Sequence, residues 1–178
     1  MSQTMARPQI HPTGRESHFT ENEIIVTKTD ARGLITYANE TFLRVSHFQI
    51  NEVLGKPHNL IRHPDMPRCV FKILWDTLTS GREMFAYVLN LASNGDHYWV
   101  FAHVTPSVDA GGRIVGYHSM RRKPVAAQVE AARALYRTLL DEERAAASPA
   151  EGMQRSTDRL MSILRSKGVG YDEFVFAL

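Results

Sequence analysis

The chain has 178 residues, 43% hydrophobic and 22% charged, with a net charge of +2, which allows one domain with a real core plus extensions and gives little reason to expect nucleic acid. Its single cysteine, Cys69, excludes an intrachain disulfide and a cysteine metal cluster and suits a reducing compartment. No apolar run approaches the ~20 residues that cross a bilayer, and the start has no hydrophobic signal core, so the expectation is a cytoplasmic protein without direct membrane insertion.

Met1 to Phe19 is polar, contains prolines and lacks periodicity, and reads as a flexible segment with room for a short stretch packed on the domain. Ile24 to Lys28 is β-branched and predicts a strand, Thr29 to Gly33 a turn, and Leu34 to Ala38 the return strand. Asn39 is placed to cap a helix carrying Phe42, Leu43 and Val45. Asn51 to Gly55 predicts one more helical turn. A helix from about Arg68 to Ser80 follows, with Val70, Phe71, Leu74, Trp75 and Leu78 on one face. Asp65 is placed to cap it, with Pro67 in its first turn.

Three strands are then predicted. Met84 to Leu91 and His97 to Val104 flank Asn94-Gly95, the strongest hairpin signal in the chain. Asp109 to Gly112 turns the chain into a last strand from Arg113 to Arg121. The order predicts an α+β fold, a five-stranded antiparallel sheet with short helices on one face. Along the fourth strand, Tyr98, Val100, Ala102 and Val104 share one face, and Trp99 and Phe101 share the other with His97 and His103. Both faces therefore need cover. The N-terminal segment, the C-terminal helices, a second copy in a homodimer or another protein could each provide it.

After Pro124, Val129, Ala132, Tyr136, Leu139 and Leu140 form the stripe of an amphipathic helix over about Val125 to Ala147. Ser148-Pro149 breaks it. A second helix runs to about Lys167. The apolar tail Tyr171 to Leu178 either docks on its own chain or binds a partner. The resulting plan is a flexible segment over 1–19, a domain over 20–123 and a helical extension over 124–178.

The chemistry concentrates in Pro57-His58-Asn59-Leu60-Ile61-Arg62-His63-Pro64-Asp65-Met66-Pro67. Its prolines predict a rigid, irregular loop. By composition it is either a structural turn with a surface Arg–Asp pair or the polar wall of a ligand site. Hydrolase, zincin and phosphate-loop patterns are missing, so no enzyme is expected. The eight histidines lack the spacing of a metal site.

The hexapeptide Arg62 to Pro67, Trp75, the block Asn94-Gly95-Asp96-His97-Tyr98-Trp99 and Gly116-Tyr117 together resemble the PAS domain of the Aer/CetB-type aerotaxis (energy taxis) sensor family. The resemblance runs from about Glu23 to Lys123. It implies a PAS fold, a non-covalently bound FAD, and a sensor of redox state or oxygen that signals to a separate membrane-bound transducer of the chemoreceptor type. The positions it implies for the cofactor are Asn39, Arg62, His63, Asp65 and Trp75, to which Asn90 is added by its place on the matching strand. The chain departs from the family at Met84-Phe85-Ala86 and at Leu89 to Ser93, where a basic stretch is replaced. It also lacks the cysteine motif of photoadduct-forming flavin domains. The alternatives are a ligand-free interaction module, or a PAS domain holding haem or a small metabolite.

Overall fold

The computed structural model describes residues 10–178, so the expectation of flexibility for Met1–Gln9 lies outside the described residues. The five expected strands are present: β1 (Ile25–Asp30), β2 (Ile35–Ala38), β3 (Met84–Leu91), β4 (His97–Val108) and β5 (Ile114–Arg122). They form one antiparallel sheet in the order β2-β1-β5-β4-β3. Between β2 and β3 lie α1 (Glu40–Ser46), α2 (Ile50–Val53), a 3-10 turn at His58–Ile61 and α3 (Arg68–Thr79). After β5 come α4 (Ala126–Arg144), α5 (Pro149–Lys167) and α6 (Tyr171–Phe176).

Local chemistry accounts for several boundaries. The Asn39 side chain accepts from the Phe42 amide at 3.0 Å and caps α1. Ser148 caps α5, where Pro149 occupies the first turn, so the residues that end α4 also start its successor. Gly95 turns the β3–β4 hairpin with φ +89°, and a Cβ there would stand 2.3 Å from the His11 carbonyl oxygen. That close approach arises because residues 10–19 run along the hairpin. Thr13 donates to the Gly95 carbonyl, Ser17 to the His97 carbonyl, and His97 to the Arg15 carbonyl, each at 2.8 Å. Phe19 is fully buried against Tyr98.

One cap was misassigned by the sequence. Asp65 does not cap α3. The first two amides of α3, Arg68 and Cys69, donate instead to Oε1 of Glu143, at 2.6 and 3.3 Å, from the far end of α4. Asp65 pairs with Arg144 at 3.1 Å. A carboxylate from another helix outcompetes the local one because it meets both free amides and also accepts from Ser156 at 3.0 Å.

The chain's own C-terminal extension covers the β3–β4 half of the outer sheet face. Tyr136 stacks on Trp99 with ring centroids 5.9 Å apart, and Phe176 leans on Phe85 and Phe101 at 4.7 and 5.8 Å. The apolar tail thus docks on its own chain. β3 is an edge strand, yet its backbone edge is occupied: the Tyr136 hydroxyl donates to the Tyr87 carbonyl, the Leu89 amide donates to the Met66 sulfur at 3.2 Å, and Arg62 bridges Asn90. α4 and α5 approach closely at Gly152, where a Cβ would lie 2.7 Å from the Glu143 carbonyl oxygen.

Tyr136→Phe is expected to leave the Tyr87 carbonyl unpaired and to lower stability by about 1–3 kcal/mol. The urea midpoint of the variant against the parent chain checks this.

Candidate functional site

Between the inner sheet face and α3 lies a cavity of about 110 Å³. Its apolar walls include Leu74, Leu78, Val88, Ala102 and Val104, with Trp75 and Tyr117 as aromatic sides. The strand alternation puts these residues here: Thr27, Thr29, Ala102, Val104, Tyr117, Ser119 and Arg121 all project from the same face.

The polar groups in this wall are unusual. Arg121 is 3% exposed and has no carboxylate partner among the described residues. Its Nε donates to Ser119 Oγ at 2.9 Å, and Nη2 donates to Thr27 Oγ1 and, at 2.7 Å, to His58 Nε2. Its Nη1 has no hydrogen-bond partner. Burial pushes the guanidinium down to about 10, which leaves it charged at neutral pH. Burial, and then the charge of Arg121, push His58 down to about 3, so the imidazole stays neutral and offers Nε2 as an acceptor. Two further buried atoms at the cavity wall lack partners among the described residues, Asn90 Nδ2 and Thr29 Oγ1. Buried donors without acceptors cost about 1–3 kcal/mol each, so three at one cavity mark a place where a polar ligand fits.

The residues expected from the sequence divide between this cavity and other places. Arg62, Trp75 and Asn90 come together at the cavity. Arg62 stands at its mouth with its guanidinium 4.2 Å over the Phe71 ring, and burial holds its pKa below the usual value. Trp75 is 39% exposed and packs edge-on against Tyr117 at 5.3 Å, as a cover over the cavity. Asn39, His63 and Asp65 lie elsewhere. Asn39 accepts from the Val26 amide at 3.0 Å and donates to the Ile24 carbonyl at 2.8 Å, so its amide is committed to β1 and the α1 cap. His63 is buried on the other side of the loop, its Nδ1 accepting from the Asp65 amide at 3.1 Å and its ring 6.4 Å from that of His97. Burial, only partly opposed by Asp65, lowers its pKa. Asp65 faces the C-terminal helices.

Arg121 and His58 are the residues that sequence reading passed over. With Arg122 and Lys123 next to it, Arg121 has the composition of a solvated basic strand end. The two-residue period carried the signal, because it aligns Arg121 with Tyr117 and Ser119 rather than with exposed Arg122. Cys69 is buried beside Ser156 and Glu143 and does not line the cavity, and burial raises its thiol to about 11. Such a thiol is a poor nucleophile.

The cavity's chemistry suits a flat heterocycle: aromatic and aliphatic sides, an amide with a free donor, and a buried cation. Its size does not yet suit one, since ligand pockets of drug-sized molecules run to ~300–1,000 Å³. Room for a ring requires Trp75 and the face of α3 beneath it to shift outward.

Comparison with known proteins places this site in context. The family model described as "PAS fold" matches residues 24–122. The chain is 39% identical over 131 residues to the aerotaxis receptor of Escherichia coli (strain K12), a match covering 72% of this chain and 26% of that protein. It is 28% identical over 117 residues to the nitrogen fixation regulatory protein of Klebsiella pneumoniae, covering 66% of this chain and 24% of the relative. The chain thus spans about a quarter of the length of these relatives. Among solved structures, the dark structure of the blue-light photoreceptor Aureochrome1 LOV superposes with a TM-score of 0.55 at 26% identity, covering 61% of this chain and 80% of that one.

The buried His58 predicts a pH dependence. Its folded pKa, about 3, lies below the ordinary 6.5. Its contribution is therefore fully present above pH 6.5 and is lost as pH falls towards 3, by at most about 1.4 kcal/mol per pH unit. Denaturation at pH 7 and pH 5 is expected to show this loss in the parent chain and a shallower one in His58→Gln.

Proposed function

The chain belongs to the PAS fold family, and as a member of it, we propose, it is a cytoplasmic sensor that binds FAD non-covalently between its sheet and α3 and reports redox state or oxygen to a separate membrane-bound chemotaxis-type transducer, without catalysing a reaction. The observation that carries this reading is the trio of unpartnered buried donors, Asn90 Nδ2, Thr29 Oγ1 and Arg121 Nη1, around an otherwise apolar and aromatic cavity. The sequence resemblance to Aer-type sensors and the relation to the E. coli aerotaxis receptor support the choice of ligand and of output.

A flavin, when bound, supplies reversible electron transfer with an accompanying change in ring protonation. The residues of this chain supply the means to sense it. Asn90 presents an amide that donates or accepts as its partner changes. Arg121 favours any negative charge that develops beside it, because it is buried and has no counter-ion among the described residues. His58 stays neutral, so the cation next to it is not answered by a second charge. Trp75 covers the cavity and excludes water. The signal has a route outward in two directions. One runs through α3 to Glu143 and the C-terminal helices. The other runs through the sheet to its outer face at β5, β1 and β2, where Tyr37 and Met120 remain exposed and can receive a partner.

A second reading has its own observation. The cavity of about 110 Å³ is small enough to be closed permanently, and the exposed outer face would then serve a ligand-free interaction module. The visible spectrum separates the two. The purified protein is expected to carry the absorption bands of an oxidised flavin, released as FAD on heating. Arg62→Ala, Trp75→Ala and Asn90→Leu are each expected to weaken flavin binding at least about tenfold. A colourless protein that stays colourless after incubation with FAD rules out the flavin reading. Partner affinity that is unchanged by flavin reduction rules out redox reporting.

A further inference from the structure

A groove of about 1,100 Å³ lies outside the cavity, between the Arg62–Pro67 loop, residues 10–12 and the turn joining α4 to α5. It meets the cavity at Asn59 and Arg62, which line both. Three arginines face it: Arg62, Arg68 and Arg144. The Arg62 guanidinium makes one long hydrogen bond, 3.4 Å to the Met66 carbonyl, and so keeps most of its donors free. The Arg68 guanidinium makes no hydrogen bond or ion pair with a described residue. Glu143 attracts Arg62, and Arg68 is close enough to repel it, more weakly. The carboxylate in the groove wall, Glu143, is already held by two α3 amides and Ser156. Asp65 at the rim, 3.1 Å from Arg144, is the other nearby anion. Positive charge therefore exceeds negative charge here, in a groove open to solvent. The end beneath the α4–α5 turn is different, being walled by Leu140, Ala146, Ala147 and Pro149.

The groove thus runs from the cavity's edge at Asn59 and Arg62, past guanidinium groups, to an apolar end. We propose that the C-terminal helical hairpin forms the second half of the cofactor site, with Arg62, Arg68 and Arg144 holding the pyrophosphate of a flavin dinucleotide and the α4–α5 turn receiving its adenosine. This rests on the flavin reading above and adds to it residues outside the family-matched span of 24–122. Guanidinium forks suit pyrophosphate oxygens, and a phosphate approaching Arg144 competes with Asp65 for it. A flavin mononucleotide lacks the adenosine half and leaves the α4–α5 end unfilled. The hairpin is then fixed by the ligand itself, and not only by its packing on the sheet.

The test titrates riboflavin, FMN and FAD into the full chain freed of flavin, by calorimetry. FAD is expected to bind at least about tenfold tighter than FMN. Arg144→Ala and Arg68→Ala are each expected to weaken FAD about tenfold and to leave riboflavin unchanged, which also reports that the variants are folded. Equal affinity for FAD and FMN overturns the proposal and leaves the flavin reading standing. So does an equal loss of FAD and riboflavin in both variants, which marks lost packing in place of a phosphate contact. If none of the three flavins binds the parent chain, the flavin reading fails and this proposal fails with it.

Discussion

A buried guanidinium without a counter-ion among the described residues is the constraint around which this molecule is arranged. Arg121 sits on the inner sheet face among Ser119, Thr27 and His58, with one nitrogen unsatisfied. Desolvating such a charge is costly, and neutral hydrogen bonds offset that cost only in part. The surroundings adapt to it. His58 is held neutral so that it can accept. The Phe42 ring lies 5.8 Å from the guanidinium carbon. The cavity lies beside Arg121, which forms part of its wall.

The second organising feature is the way the C-terminal helices wrap the β3 edge. Tyr136 takes a carbonyl of that edge, Glu143 takes the amides at the start of α3, and Phe176 rests on the outer aromatics. One extension therefore touches the outer face, the sheet edge and the helix that walls the cavity. The Asp65–Arg144 pair is exposed and contributes little by itself, ~0–1 kcal/mol. Glu143 is better placed, because its partners are backbone donors that would otherwise go unpaired. α3 therefore touches the cavity with one face and the hairpin with its first turn.

Most of the fold was legible because its signals are local. Asn94-Gly95 marks a hairpin through backbone conformation, Asn39 caps through its own side chain, and period-two and period-3.6 patterns give strands and helices. The cap of α3 was not legible. Asp65 stands at the right spacing, but Glu143 arrives from 75 residues away in sequence, and spacing cannot weigh a tertiary competitor. The site was half legible for the same reason. Arg62, Trp75 and Asn90 converge, whereas the Asn39 amide was claimed by β1 and the loop turned His63 and Asp65 to its far side. Arg121 was obscured by its neighbours: Arg122 and Lys123 make the run look solvated, and only strand alternation separates them.

The order of synthesis gives the distant cap a further meaning. A ribosome completes the sheet and α3 before α4 emerges. Until Glu143 appears, the first amides of α3 have no carboxylate, the Tyr87 carbonyl is open, and Phe85, Trp99 and Phe101 face water. A nascent or C-terminally shortened chain therefore displays an unguarded edge strand beside an aromatic surface, the combination that favours strand pairing between chains. The α4–α6 extension acts in effect as an intramolecular chaperone for the sheet that precedes it, and proteolysis at the β5–α4 junction would leave the sheet more prone to self-association.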